Sequence, residues 1–96
     1  MTSRFNVLVT PNFERQARSL RKRHPDFSPC FLEAIRILGT DPHNRSRAHA
    51  IRKLEGISKG EGLYRLRIRR WRFRYDIYDR DVVLLYCGLR RENTYR

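Results

Sequence analysis

The alternation of residue types across positions 63–78 constrains the fold of this chain more than any other feature. Tyr64, Leu66 and Ile68 alternate with Arg65, Arg67 and Arg69, and Trp71, Phe73, Tyr75 and Ile77 alternate with Arg72, Arg74 and Asp76. Side chains of a strand point to opposite faces at period two, so each run reads as a half-buried strand. A two-residue turn at Arg69 and Arg70 sets Ile68 opposite Trp71, Leu66 opposite Phe73 and Tyr64 opposite Tyr75, which closes an apolar face without a misfit. The same register sets Arg67 opposite Arg72 and Arg65 opposite Arg74. Like charges directly across a ladder cost roughly 0.2–1 kcal/mol per pair. A sequence that accepts this repulsion twice expects an anion on that face. Arg-Arg is a poor two-residue turn, since such turns favour Asn-Gly or a glycine at positive φ, and a slightly longer loop is the alternative.

The 96 residues are read as one domain, 1–96, with a single modest core. Lys and Arg number 22 against 10 Asp and Glu, a formal net charge of +12, and seven of the arginines fall between Arg65 and Arg80. Self-repulsion on that scale calls for an acidic partner: nucleic acid, an acidic protein or an anionic surface. No apolar run approaches the ~20 residues of a membrane span and no signal-peptide core opens the chain, so the expectation is a cytoplasmic protein with no membrane partner. Cys30 and Cys87 lack any zinc-binding spacing and read as buried free thiols. His24, His43 and His49 fall at helix ends and in loops, where surface histidines are the default.

Residues 5–10 form a β-rich opening. Thr10 is placed to cap a helix with Pro11 at its first position, and the helix runs over 12–24 with a thin apolar stripe of Phe13, Ala17 and Leu20. Arg15, Arg18, Arg21, Lys22 and Arg23 make the rest of it strongly basic. His24 and Pro25 stop it, and residues 26–29 restart a second helix that reaches about position 39, with Phe31, Leu32, Ile35 and Leu38 as its core face. Residues 40–62 read as a polar connection with a short helical turn at 48–54. After the two alternating strands and a turn at Asp79 and Arg80, residues 81–87 read as a central strand covered on both faces. Tyr86 is assigned to the core with Tyr64, Trp71, Phe73 and Tyr75, and 88–96 form a basic tail. The architecture is α+β, a small antiparallel sheet with two N-terminal helices packed on one face, in the order β-α-α-β-β-β.

That order resembles the RelE/ParE superfamily of bacterial and archaeal toxins, and so do the motifs at 54–56 (Leu-Glu-Gly), 64–67 (Tyr-Arg-Leu-Arg), 71–75 (Trp-Arg-Phe-Arg-Tyr) and 88–95. The resemblance covers nearly the whole chain. It implies the toxin of a type II toxin–antitoxin system, silenced by a cognate acidic antitoxin and requiring no cofactor or metal. RelE-like members are endoribonucleases that cut mRNA in the A site of the 30S ribosomal subunit by driving the 2′-hydroxyl onto the scissile phosphate. ParE-like members poison DNA gyrase, and a catalytically inactive member that only binds antitoxin or RNA is a third reading.

Matched by motif, the resemblance places the catalytic residues at Arg65, Arg67 and Arg72, which grip the phosphate, at Arg90 near the leaving group, with Arg91 one position on, and at Tyr95 as a general base. The alternative for Arg65, Arg67 and Arg72 is a basic face that docks an acidic antitoxin or the ribosomal RNA backbone. For Tyr95 it is packing at a sheet edge. Leu89 stands where the family commonly carries histidine, which removes one possible acid or orienting group. Arg69, Arg74 and Arg91, with Arg21 and Lys22 of the basic helix, are candidates for RNA phosphate contacts, with a solvated face as their alternative.

Overall fold

A computed structural model describes residues 4–89. The elements are β1 (Asn6–Val9), α1 (Pro11–Arg23), α2 (Phe27–Thr40), β2 (Ile51–Lys53), β3 (Tyr64–Ile68), β4 (Trp71–Tyr78) and β5 (Asp81–Leu89). The five strands form one sheet in the order β1-β5-β4-β3-β2. β1 runs parallel to β5, and every other pairing is antiparallel.

Local chemistry sets the helix starts. The Thr10 hydroxyl accepts the amide hydrogen of Phe13 at 3.0 Å, and Pro11, which lacks an amide hydrogen of its own, occupies the first turn where none is needed. Phe13, Ala17 and Leu20 of α1 and Phe27, Cys30, Ala34, Ile37 and Leu38 of α2 are buried together with Leu66, Trp71, Phe73, Tyr75, Ile77, Val82, Leu84 and Cys87 of the sheet. Phe27 meets the Trp71 ring edge-on at 5.1 Å and stacks on Phe31 at 5.7 Å, so the aromatic residues of α2 and the β3–β4 hairpin lock the helix layer onto the sheet. Leu32, expected in the core face of α2, is 67% exposed. The buried stripe instead follows Phe27, Cys30, Ala34 and Ile37 at spacings of three and four, and a residue just past Phe31 rotates off it.

The β3–β4 register is the one that alternation dictates: Tyr64 opposite Tyr75, Arg65 opposite Arg74, Leu66 opposite Phe73, Arg67 opposite Arg72 and Ile68 opposite Trp71. The Arg69-Arg70 turn is therefore two residues long, with Arg69 at φ +55, in the left-handed region that costs a side-chain-bearing residue roughly 1–2 kcal/mol. Its neighbour provides the compensation. Arg70 donates two hydrogen bonds to the Asp26 carboxylate, from Nε at 2.9 Å and from Nη2 at 2.8 Å, and its guanidinium lies 4.9 Å from the centre of the Trp71 ring. Trp71 Nε1 donates to the same carboxylate at 3.0 Å. Asp26 makes no side-chain cap for α2; it holds the hairpin turn instead.

Two segments differ from the sequence expectation. The helical turn expected at 48–54 is the short strand β2, whose Ile51, Arg52 and Lys53 pair with Leu66, Arg65 and Tyr64. The preceding loop is wound around Asp41, which accepts hydrogen bonds from the Arg45 and Ser46 amides and from the Ser46 hydroxyl, and this delivers the chain to the free edge of β3 in extended form. β5 also runs two residues past the expected end, to Leu89, and contains a bulge: Leu84 faces Tyr75 while Tyr86 faces Arg74, leaving Leu85 as the extra residue. Tyr86 thereby leaves the core face, Cys87 takes the inward position, and the strand is not covered on both sides. Cys30 and Cys87 are buried and free, as expected. Burial pushes the Cys87 thiol up to about 12.

Candidate functional site

Opposite the helices, the second face of the sheet carries the arginines. Register lines them up in two rows across the strands. One row runs Arg52, Arg65, Arg74, Tyr86; the next runs Arg67, Arg72, Gly88. Gly88, opposite Arg72, carries no side chain.

A segment from the β2–β3 connection lies over part of this face and gives it depth. Asp76, the one position of the β4 alternation that is charged but not basic, is fully buried, and its carboxyl oxygens accept the amide hydrogens of Gly60 at 2.9 Å, Gly62 at 3.1 Å and Leu63 at 2.8 Å. Arg74 holds the same segment from beside it, donating from Nε to the Gly62 carbonyl at 3.1 Å and from Nη2 to the Glu61 carbonyl at 2.7 Å. Gly62 sits at φ +83, and a Cβ there would stand 3.1 Å from Cβ of Arg74, so both its backbone and its neighbour require glycine. The result is a groove of about 550 Å³. Arg65, Arg72 and Arg74 line it with Tyr86 and Gly88, Leu54 and Ile57 of the β2–β3 connection contribute to its walls, and Gln16 of α1 stands at its β5 end. Gln16 also accepts the amide hydrogen of Cys87 at 3.0 Å, closing the part of the β5 edge that β1 does not reach. A second depression of about 310 Å³ is lined by Ala50, Ile51, Arg52, Arg65 and Arg67, so Arg65 belongs to both.

The predicted residues divide by position. Arg65, Arg67 and Arg72 share the outer face, with Arg67 exposed and the other two half-buried. Arg74 is on the same face but is committed to two backbone carbonyls and to the Tyr86 ring, 5.3 Å from its guanidinium. Arg69 is exposed in the hairpin turn at the end of the sheet. Arg21 and Lys22 are exposed in the last turn of α1, in the layer on the other side of the sheet, and do not join the groove. Arg90, Arg91 and Tyr95 lie outside the described residues; Leu89, the last described residue, lines the groove. Sequence reasoning missed Arg52, because a strand of three residues leaves almost no periodic signal, and Tyr86, because a bulge cannot be read from alternation.

Chemically, the face supplies guanidinium donors, which bind phosphate oxygens through forked hydrogen bonds and cannot accept a proton. Glu61 is the carboxyl group among the groove residues, and its Oε1 accepts the amide hydrogen of Ser58 at 3.1 Å.

No protein-family model and no curated protein matches this chain. Solved structures do. A chain of the archaeal RelE–RelB complex from Pyrococcus horikoshii OT3 is 24% identical, the match covering 93% of this chain and 98% of that one with a TM-score of 0.67. The YoeB dimer from Staphylococcus aureus gives 15% identity over 90% and 97% of the two chains with a TM-score of 0.65. YafQ from E. coli strain BL21(DE3) gives 18% over 88% and 92% with a TM-score of 0.61. At these identities the likeness establishes architecture, and the fold of this chain is that of the RelE-type toxins.

Proposed function

We propose that this chain is the toxin of a type II toxin–antitoxin pair and acts as a ribosome-dependent, metal-independent mRNA endonuclease. The observation that carries the reading is the gathering of Arg65, Arg67 and Arg72 on one face of a RelE-type sheet, in a register that sets like charges directly opposite one another. Like charges set across a ladder repel, and a bound polyanion relieves that repulsion.

Cleavage requires three things of the protein: removal of the 2′-hydroxyl proton, stabilisation of the extra charge that builds on phosphorus, and protonation of the departing 5′-oxygen. Arg65, Arg67 and Arg72 take the second task, donating to the non-bridging oxygens as the 2′-oxygen attacks and a cyclic phosphate forms. Loss of one such donor costs about 2.7–4 kcal/mol of transition-state stabilisation in comparable oxyanion sites. Arginine cannot act as the base, so the resemblance assigns that task to Tyr95 and gives Arg90 the role of acid or charge stabiliser for the leaving oxygen. Tyr95 is six residues beyond Leu89, a stretch that spans up to about 20 Å when extended.

The Pyrococcus horikoshii structure is a complex of RelE with RelB, which supports a cognate antitoxin for this chain as well. The +12 charge calls for an acidic one, covering part of the arginine face. The test is primer extension on a reporter mRNA in a purified translation system, with and without ribosomes. Discrete ribosome-dependent cuts are expected, and Arg72→Ala and Tyr95→Phe should abolish them while leaving antitoxin binding intact. Intact mRNA together with inhibited gyrase supercoiling would replace this reading with a ParE-like one.

A further inference from the structure

Uninterrupted alternation along β5 would carry Tyr86 into the core behind Val82 and Leu84. The bulge at Leu85 places it instead on the arginine face, opposite Arg74, where it is 40% exposed and lines the groove beside Arg65 and Arg72. The ring is also held in place: the Arg74 guanidinium lies 5.3 Å from its centroid, and Arg74 is itself fixed by the Glu61 and Gly62 carbonyls. Two residues on, Gly88 lines the same groove opposite Arg72.

We infer that Tyr86 is a nucleobase-stacking residue, holding the base of a nucleotide adjacent to the phosphate gripped by Arg65 and Arg72. The inference rests on the RNA-directed reading of this groove and adds a base subsite to a phosphate site. A planar base and a buttressed ring suit one another because every base offers an aromatic face, and the cationic guanidinium behind the ring adds an attraction of its own. Stacking of this kind fixes where along the strand the cut falls, since it sets which nucleotide is seated when the neighbouring phosphate enters the arginine cluster.

The experiment uses the full chain and a short 2′-O-methyl RNA, which cannot be cleaved, in which each base in turn is replaced by an abasic site. The wild type should lose about tenfold in affinity at one abasic position, the order expected for one stacked base. Tyr86→Phe should behave as the wild type. Tyr86→Ala should bind the intact RNA about tenfold more weakly and be indifferent to that same abasic position, with its urea melt confirming that it is folded. A mere prop for Arg74 would weaken binding without this coupling. An alanine variant that responds to the abasic series as the wild type does overturns the inference, as does a wild type that fails to bind the RNA. Coupling without any mRNA cleavage on ribosomes would sustain the base subsite and remove the nuclease. Cleavage without coupling would do the reverse.

Discussion

Arg70 and Asp26 are joined by a two-pronged ion pair across 44 residues of sequence, tying the tip of the β3–β4 hairpin to the entrance of α2. The hydrogen bonds from Arg70 hold the Asp26 carboxyl well below its ordinary value of 3.8, with burial opposing and the Trp71 indole reinforcing them. A depressed folded-state value means that the pair contributes stability above the unfolded-state value and loses it as the pH falls through the folded one. Unfolding stability should therefore show no Asp26 dependence from neutral pH down to about pH 5, then decline on further acidification. Asp26→Asn should flatten part of that acid decline in urea melts across the pH range. Parallel acid slopes for the two proteins would show that the pair does not report on folding.

Asp76 is expected to govern the groove without touching any ligand. Asp76→Ala leaves the amides of Gly60, Gly62 and Leu63 without their acceptor, and each unsatisfied buried group costs about 1–3 kcal/mol. A loss of about 3 kcal/mol is expected in denaturant melts, together with faster hydrogen exchange at those three amides. Asp76→Asn, which keeps an acceptor oxygen, should lose less. Full protection of the three amides in the alanine variant would mean that the segment is held by other contacts.

Replacing Arg67 should separate stability from activity. It is exposed and stands directly across from Arg72, so Arg67→Thr removes a like-charge pair and puts a good strand former in its place. The variant should be more stable by about 0.2–1 kcal/mol. Its ribosome-dependent cleavage should fall on the order of 10²–10³-fold. A variant that is less stable and still fully active would remove Arg67 from the site.

Arg52 should act as a binding residue only. It stands opposite Arg65 at the sheet edge and shares the smaller depression with Arg65 and Arg67. Arg52→Ala should raise the concentration of RNA needed for half-saturation while leaving the chemical step unchanged. The slope of log affinity against log salt should become shallower by about 0.7, the increment for one single-stranded phosphate contact. An unaltered slope would mean that no phosphate reaches this edge.

What could be read from the sequence, and what could not, follows the range of the interactions involved. The β3–β4 register is local: two alternating runs separated by two residues can pair in one way that buries Leu66, Phe73 and Trp71 together. The Thr10-Pro11 start of α1 is equally local. Burial of Asp76 was not legible, because its partners are backbone amides of a loop 13–16 residues earlier, and backbone amides have no sequence signature. Tyr86 was misassigned to the core because a one-residue bulge inverts every side chain beyond it, and the bulge depends on how β5 meets β4 rather than on β5 itself. Arg52 escaped notice for a related reason: β2 is a strand only because the free edge of β3 offers it hydrogen bonds.

The parallel pairing of β1 with β5 has a consequence in time rather than in space. Asn6 lies beside Asp81 and Val9 beside Leu84, so β1 waits for a strand made 75 residues later before their pairing can form. Pairings at such separation carry a high loop-closure cost and form late. The groove depends on the same final strand for Tyr86 and Gly88. A nascent chain halted at the β4–β5 turn would therefore carry most of the arginines but no assembled groove in which to use them.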